Sequence, residues 1–185
     1  MTVIAAVVGK THIAIASDSL VCWGGLKATT TEVESTKLIP VGRSWIGTSG
    51  EDIYAFIMED YLSGLKRKPT LTNEHAIFTF FNRLRGALKD RYHYTPKGDG
   101  GGFAEFEARF MIANPSGLYT VDQDLAITRH KRFCAIGSGG WFALGALEVL
   151  SGDPKETAIK AVEAAIKLDV YCGGDIEHAE VKLRR

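Results

Sequence analysis

The chain carries no net charge, few cysteines and no long apolar run, and each shortage closes off a class of function. Lys+Arg and Asp+Glu stand at 22 each, so nothing in the overall balance draws the chain to nucleic acid or to a membrane surface. The longest apolar runs fall far short of the ~20 residues that span a bilayer. No basic-then-apolar leader precedes the first strand-like segment. Three cysteines, Cys22, Cys134 and Cys172, are odd in number and far apart; they make neither a disulfide framework nor a zinc site, and they fit a reducing, cytoplasmic setting. The five histidines show no metal-ligand spacing. No repeat recurs at the ~20–50 residue periods of solenoids. What remains is an ordinary globular balance, 45% hydrophobic and 24% charged over 185 residues without an obvious linker, which reads as one domain over 1–185.

Strands are expected over 3–8 (VIAAVV) and 12–17 (HIAIAS), joined by a short hairpin. A three-residue loop, Gly9 to Thr11, sets Thr2 opposite Asp18; a two-residue loop puts them on opposite faces. The sequence alone does not choose between them. After a polar, Gly/Thr-rich stretch over 19–36 come a second strand pair, KLIPV and SWIGTSG, and a helix from about Glu51. Ser49 stands three before Asp52 as in a capping box, and Ile53, Ile57 and Tyr61 recur at helical spacing. A second helix over roughly 72–92 shows Ile77, Phe81, Leu84 and Leu88 on one face. Residues 95–102 (TPKGDGGG) read as a loop. Then follow strand-like FEARFMIAN, GLYTVD and FCAIGSGG, with a turn at Pro115-Ser116-Gly117. A helix begins near Gly140, and a last one is capped by Asp153 with Pro154 at its first position. Helical spacing carries Asp169 onto the buried face of that helix, and a strand AEVKL closes the chain. Grouped strands and grouped helices predict an α+β layered fold.

Thr2 is the residue with the most chemistry. A small second residue is expected to permit removal of Met1, leaving Thr2 with a free α-amine and a hydroxyl in one residue. The α-amine titrates at about 7.7–8.0, where a general base is useful at neutral pH, and it can take the hydroxyl proton directly or through water. A lysine nearby would favour the alkoxide. Lys37, opening a later strand, and Asp18, closing the returning strand, are the candidates for the cation and the group that aims it. Gly47-Thr48-Ser49-Gly50 joins a strand to a helix start, where free N–H groups suit an oxyanion. Gly137-Ser138-Gly139-Gly140 is a second such corner, without the lysine of a phosphate-binding loop.

In order and spacing, T-V-I-A-A-V, A-S-D-S (16–19), T-K-L-I (36–39), G-T-S-G, A-I-G-S-G-G (135–140) and D-V-Y-C-G-G (169–174) resemble the proteasome-type N-terminal-nucleophile hydrolases, notably the HslV-like peptidases and small bacterial proteasome homologues. The resemblance implies a four-layer αββα sandwich and a threonine peptidase. Thr2 would be nucleophile and base, with Asp18 and Lys37 as the charge pair beside it. Gly50 would supply an oxyanion N–H, and Ser138 and Asp169 would position the amine. Thr48 and Ser49 would line the substrate pocket. The resemblance implies no cofactor and no metal. It implies unfolded protein or peptide as substrate, a homo-oligomeric ring, single or double, and service to an ATP-dependent unfoldase. A catalytically inactive ring protein and a small-molecule amide hydrolase are the alternatives of the same fold. Two departures stand out: the stretch from Asp18 to Lys37 is a few residues longer than in the family, and Cys172 occupies a position where many members carry a hydroxyl.

Overall fold

The computed structural model describes residues 2–23, 25–94 and 106–184; the loop expected over 95–102 lies outside them. Strands β1 (Val3–Val8), β2 (His12–Asp18), β10 (Phe133–Gly137) and β11 (Ile176–Lys182) form an antiparallel sheet in the order β10-β1-β2-β11. A second antiparallel sheet runs β5 (Leu38–Val41), β6 (Ser44–Gly50), β7 (Ala108–Asn114), β8 (Gly117–Val121) and β9 (Ile127–His130) in chain order. A small ribbon, β3 (Val21–Trp23) with β4 (Leu26–Ala28), fills part of the stretch between Asp18 and Lys37.

Period-two alternation makes the sandwich. Along β1, Ile4 and Ala6 face the second sheet, where they meet Leu38, Met111 and Leu118. Val3 and Ala5 point the other way, onto α3 (Gly140–Val149) and α4 (Pro154–Leu168). This outer interface is built from small residues, with Ala14 and Ala16 of β2 clustered with Ala158, Ala161 and Ala165 of α4, so helix and sheet can approach closely. The other outer interface is aromatic. Helices α1 (Ile53–Ser63) and α2 (Glu74–Asp90) cover the second sheet through Tyr54, Phe81, Phe106 and Phe110, with the Phe81 and Phe110 rings 4.7 Å apart. The layers are therefore α-β-β-α, as the resemblance implied. No helix among the described residues is long and apolar enough to cross a membrane.

Several local expectations are corrected. Three residues, Gly9 to Thr11, separate β1 from β2, but the hairpin takes neither of the registers expected for its two loop lengths. Val8 pairs with Ile13, and the turn is closed by the Gly9 N–H donating to the His12 carbonyl at 2.8 Å. The ladder pairs Ile4 with Ser17, so its continuation brings Val3, not Thr2, opposite Asp18. Ser49 is no helix cap: it lies in β6 and donates to the Arg109 carbonyl at 3.4 Å. Helix α1 begins after Asp52, whose side chain caps nothing. Helix α2 is capped by Asn73, which accepts from the Ala76 N–H at 2.8 Å. Asp153 and Pro154 do open α4, the Asp153 carboxylate accepting from the Lys155 and Glu156 N–H groups.

Candidate active site

Thr2 leads into the central strand β1 and is 2% exposed. Its hydroxyl donates to Asp18 Oδ1 at 2.6 Å. The same oxygen accepts from the Val3 N–H at 2.9 Å and from Lys37 Nζ at 2.7 Å. Asp18 Oδ2 accepts from the Gly173 N–H at 3.0 Å. A side chain with no exposed surface thus takes four donors and ties together β1, β2, the start of β5 and the corner after α4. Lys37 is largely buried and also donates to the Leu20 carbonyl at 3.0 Å. It reaches Thr2 through the shared Asp18 oxygen; no hydrogen bond joins Nζ to the Thr2 hydroxyl directly.

Two glycines let the sheets close around this point. A Cβ on Gly47 would sit 3.0 Å from Ile4 Cδ1 and Cγ2, and Gly47 pairs with Leu38, the neighbour of Lys37. Gly137, at φ +94°, lies against Thr2, and a Cβ there would come 2.1 Å from the Thr2 carbonyl oxygen. That oxygen instead accepts from the Gly139 N–H at 3.2 Å and from Ser138 Oγ at 3.3 Å.

Gly50 ends β6. Backbone groups alternate along a strand. The Thr48 N–H donates toward β5, to the Lys37 carbonyl at 3.0 Å, whereas the Glu51 N–H donates the opposite way to Glu107 at 3.2 Å. Alternation gives the Gly50 N–H the sense of Thr48's, past the start of β5, and Gly50 borders the same two clefts as Thr2. Its φ of +131° and a would-be Cβ 2.3 Å from the Glu107 carbonyl explain the glycine.

Ser138 and Asp169 are brought to the Thr2 carbonyl side through Cys172. Ser138 Oγ lies 3.9 Å from Cys172 Sγ, and the thiol donates to Asp169 Oδ2 at 3.3 Å. Burial pushes the Asp169 carboxyl up, but bonds from the Tyr171 N–H, Ser138 and Cys172 outweigh it and hold it below the usual carboxylate range. With its folded value below the ordinary 3.8, Asp169 contributes stability that is present above that pH and lost as acid protonates it. Burial, the nearby Asp18 charge and the bond to Asp169 push the Cys172 thiol up to about 12. It stays a protonated donor, so it replaces a hydroxyl in kind though with a weaker bond. At about pH 8 only roughly one thiol in 10⁴ would be thiolate. Peptide mapping after iodoacetamide treatment of the native protein should therefore find Cys172 unmodified while half-buried Cys22 reacts. Ready alkylation of Cys172 would contradict this environment.

Thr2 lies between two clefts. One, of about 610 Å³, is lined by Thr48, Ser49 and the loop over 30–36; the other, of about 410 Å³, by Cys22, Gly137 and Ser138. Thr2, Ser49 and Gly50 border both. All the candidate residues thus gather around one point. Sequence reasoning missed the Gly173 N–H and the Leu20 carbonyl, which complete the Asp18–Lys37 pair, and Gly137. The Gly173-Gly174 dipeptide was the visible signal for the first. Among the described residues no group of three or more His, Cys, Asp or Glu could hold a metal ion.

Four layers in the order αββα, with a central strand opening on a threonine, form the architecture of an N-terminal-nucleophile hydrolase. No protein-family model matches the chain, and no curated protein does. Among solved structures it is similar to BPH of Thiobacillus denitrificans in complex with epoxomicin, at 30% identity and a TM-score of 0.91, over 99% of this chain and 100% of that one. A second structure of that BPH matches at the same identity and TM-score over 98% of both chains. Eukaryotic HslV from Trypanosoma brucei, at 21% identity and a TM-score of 0.67 over 97% of this chain and 99% of that one, shares the fold. The chain belongs to the proteasome-type N-terminal-nucleophile hydrolases.

Proposed function

We propose that this chain is the threonine-peptidase subunit of a self-compartmentalising, cytoplasmic ring that cuts unfolded proteins and peptides, with Thr2 as nucleophile once Met1 is removed. The observation that carries the reading is Asp18, whose one oxygen holds both the Thr2 hydroxyl at 2.6 Å and the Lys37 ammonium at 2.7 Å.

In this reading the freed Thr2 α-amine takes the hydroxyl proton, directly or through a water. Oγ1 attacks the scissile carbonyl carbon, and the carbonyl oxygen gains the negative charge. Lys37 supplies a fixed positive potential beside the alkoxide, and the Gly50 N–H meets the developing oxyanion. The protonated amine passes its proton to the leaving amine as the C–N bond breaks, leaving an ester on Thr2. Water, deprotonated by the same amine, then releases the acid and restores the hydroxyl. Asp18 aims Lys37, and Ser138 and Gly139 fix the Thr2 carbonyl, so the nucleophile cannot swing away. The BPH of Thiobacillus denitrificans is seen in complex with epoxomicin, which fits a reactive residue in the equivalent fold.

Two clefts meeting at Thr2 suit an extended chain lying across the site better than a small amide filling one side. Processed protein is expected to hydrolyse fluorogenic peptides of four or more residues, with simple aliphatic amides turned over at least about 100-fold less efficiently. Comparable kcat/KM for both classes would favour a small-molecule amide hydrolase instead. Ring formation is checked by sedimentation velocity; a species of monomer mass at micromolar concentration would remove the chamber from the proposal.

A further inference from the structure

The cleft of about 610 Å³ beside Thr2 has a one-sided lining: Glu34, Glu51, Asp52, Glu59 and Glu177 border it, and among the described residues Lys37 is the one basic side chain on it. Lys37 is already bound to Asp18 and to the Leu20 carbonyl. None of the five carboxylates is within ion-pair distance of a cation among the described residues; Glu177 alone accepts a side-chain bond, from the Thr36 hydroxyl at 2.9 Å. The chain as a whole is neutral, so this is local segregation. A basic counterpart lies at the other end of β1, in a groove of about 1020 Å³ bordered by Lys10, Arg129, Lys131, Lys182 and Arg184. The N-terminal dipole of α1 also faces the acidic cleft, but it amounts to about half a positive charge and leaves the excess negative.

Two further features point to what the cleft receives. Thr48 is 8% exposed and borders it, and its hydroxyl bonds to no other described residue; it is a buried polar group open to a ligand. Phe56, 72% exposed, offers an aromatic wall in the same cleft, the surface on which a guanidinium or a lysine stem packs.

We propose that this cleft is a cation-selecting subsite, which directs cleavage to follow arginine or lysine in the substrate. The proposal rests on Thr2 being the nucleophile. It excludes acidic side chains from the subsite by repulsion and leaves apolar ones without an electrostatic gain.

Three peptidyl epoxyketones that differ only in the side chain next to the warhead, Arg, Leu or Glu, separate the two ideas. The rate of mass gain on Thr2 is read by intact-mass and peptide-mapping spectrometry. The Arg probe should react about tenfold or more faster than Leu, and Glu slowest; 0.5 M salt should shrink the Arg/Leu ratio. The double variant Glu34→Gln/Glu59→Gln, at two exposed positions that fold does not need, should lower the Arg/Leu ratio severalfold. Labelling of Thr2 with Leu at or above Arg overturns the subsite while leaving the nucleophile in place. An Arg/Leu ratio that the double variant and salt both leave unchanged also overturns it. No labelling of Thr2 by any of the three removes the nucleophile, and the subsite with it.

Discussion

Thr2→Ala is expected to bring peptide hydrolysis down to background, a loss of roughly 10⁴-fold or more, because the neighbouring hydroxyls of Thr48, Ser49 and Ser138 carry no α-amine of their own to serve as base. The fold should survive. The substitution removes one hydroxyl bond from Asp18 Oδ1, which keeps Lys37 and the Val3 N–H, and that costs about 1–2 kcal/mol. A small second residue still permits Met1 removal, so processing is not the variable. Thr2→Ser keeps the hydroxyl and should retain measurable turnover. Circular dichroism and a peptide assay on the same samples separate loss of chemistry from loss of structure; turnover by Thr2→Ala at the parental rate would exclude Thr2 from the reaction.

The Asp18–Lys37 pair gives the second large effect, and it splits into two readouts. Lys37→Met keeps the stem's volume and removes the charge. Activity should fall about 10²–10³-fold, as when one electrostatic stabiliser is deleted. Stability should fall as well, because the buried Asp18 carboxylate loses its counter-charge, though the Thr2 hydroxyl and the Val3 and Gly173 N–H groups still donate to it. Asp18→Ala leaves a mostly buried ammonium without its partner, with side-chain exposures of 10% and 0% for the pair. It should cost about 3–5 kcal/mol as well as activity. The double variant should recover most of that stability and none of the activity. A double variant as unstable as Asp18→Ala alone would mean that Asp18 matters for the Val3 and Gly173 N–H groups rather than for Lys37. Denaturant midpoints and kcat/KM distinguish these outcomes.

The motifs were legible because their chemistry is local: a hydroxyl at the head of an apolar strand, a glycine corner at 47–50, a capped last helix. The layers followed from the grouping of strands and of helices along the chain; β1, β2 and β6 are buried at nearly every position because each lies between two layers. What the sequence did not disclose depends on partners far along the chain. The register of the first hairpin turns on one bond, from Gly9 to the His12 carbonyl, and the ladder sits one residue on from the register expected for a three-residue loop. Contact between Thr2 and Asp18 nevertheless forms, since the carboxylate sits at the strand end and reaches past Val3. The ribbon β3–β4 lies in a polar, Gly/Thr-rich stretch with no clear period, and β9 (ITRH) is an edge strand too polar to read as one. Ser49 was mistaken for a helix cap because a strand end and a helix start share the same small polar residues. The acidic cleft was invisible for another reason: its carboxylates come from a loop, the start and middle of α1, and β11, and only folding puts them side by side.

The central claim is that residue 2, with its own amine, is the reactive group. Peptide mapping of protein treated with an epoxyketone tests it most directly. The account predicts a single adduct, on Thr2, in chains that have lost Met1, and no adduct in chains that retain it. An adduct on another residue, or labelled chains that still begin with Met1, would contradict it.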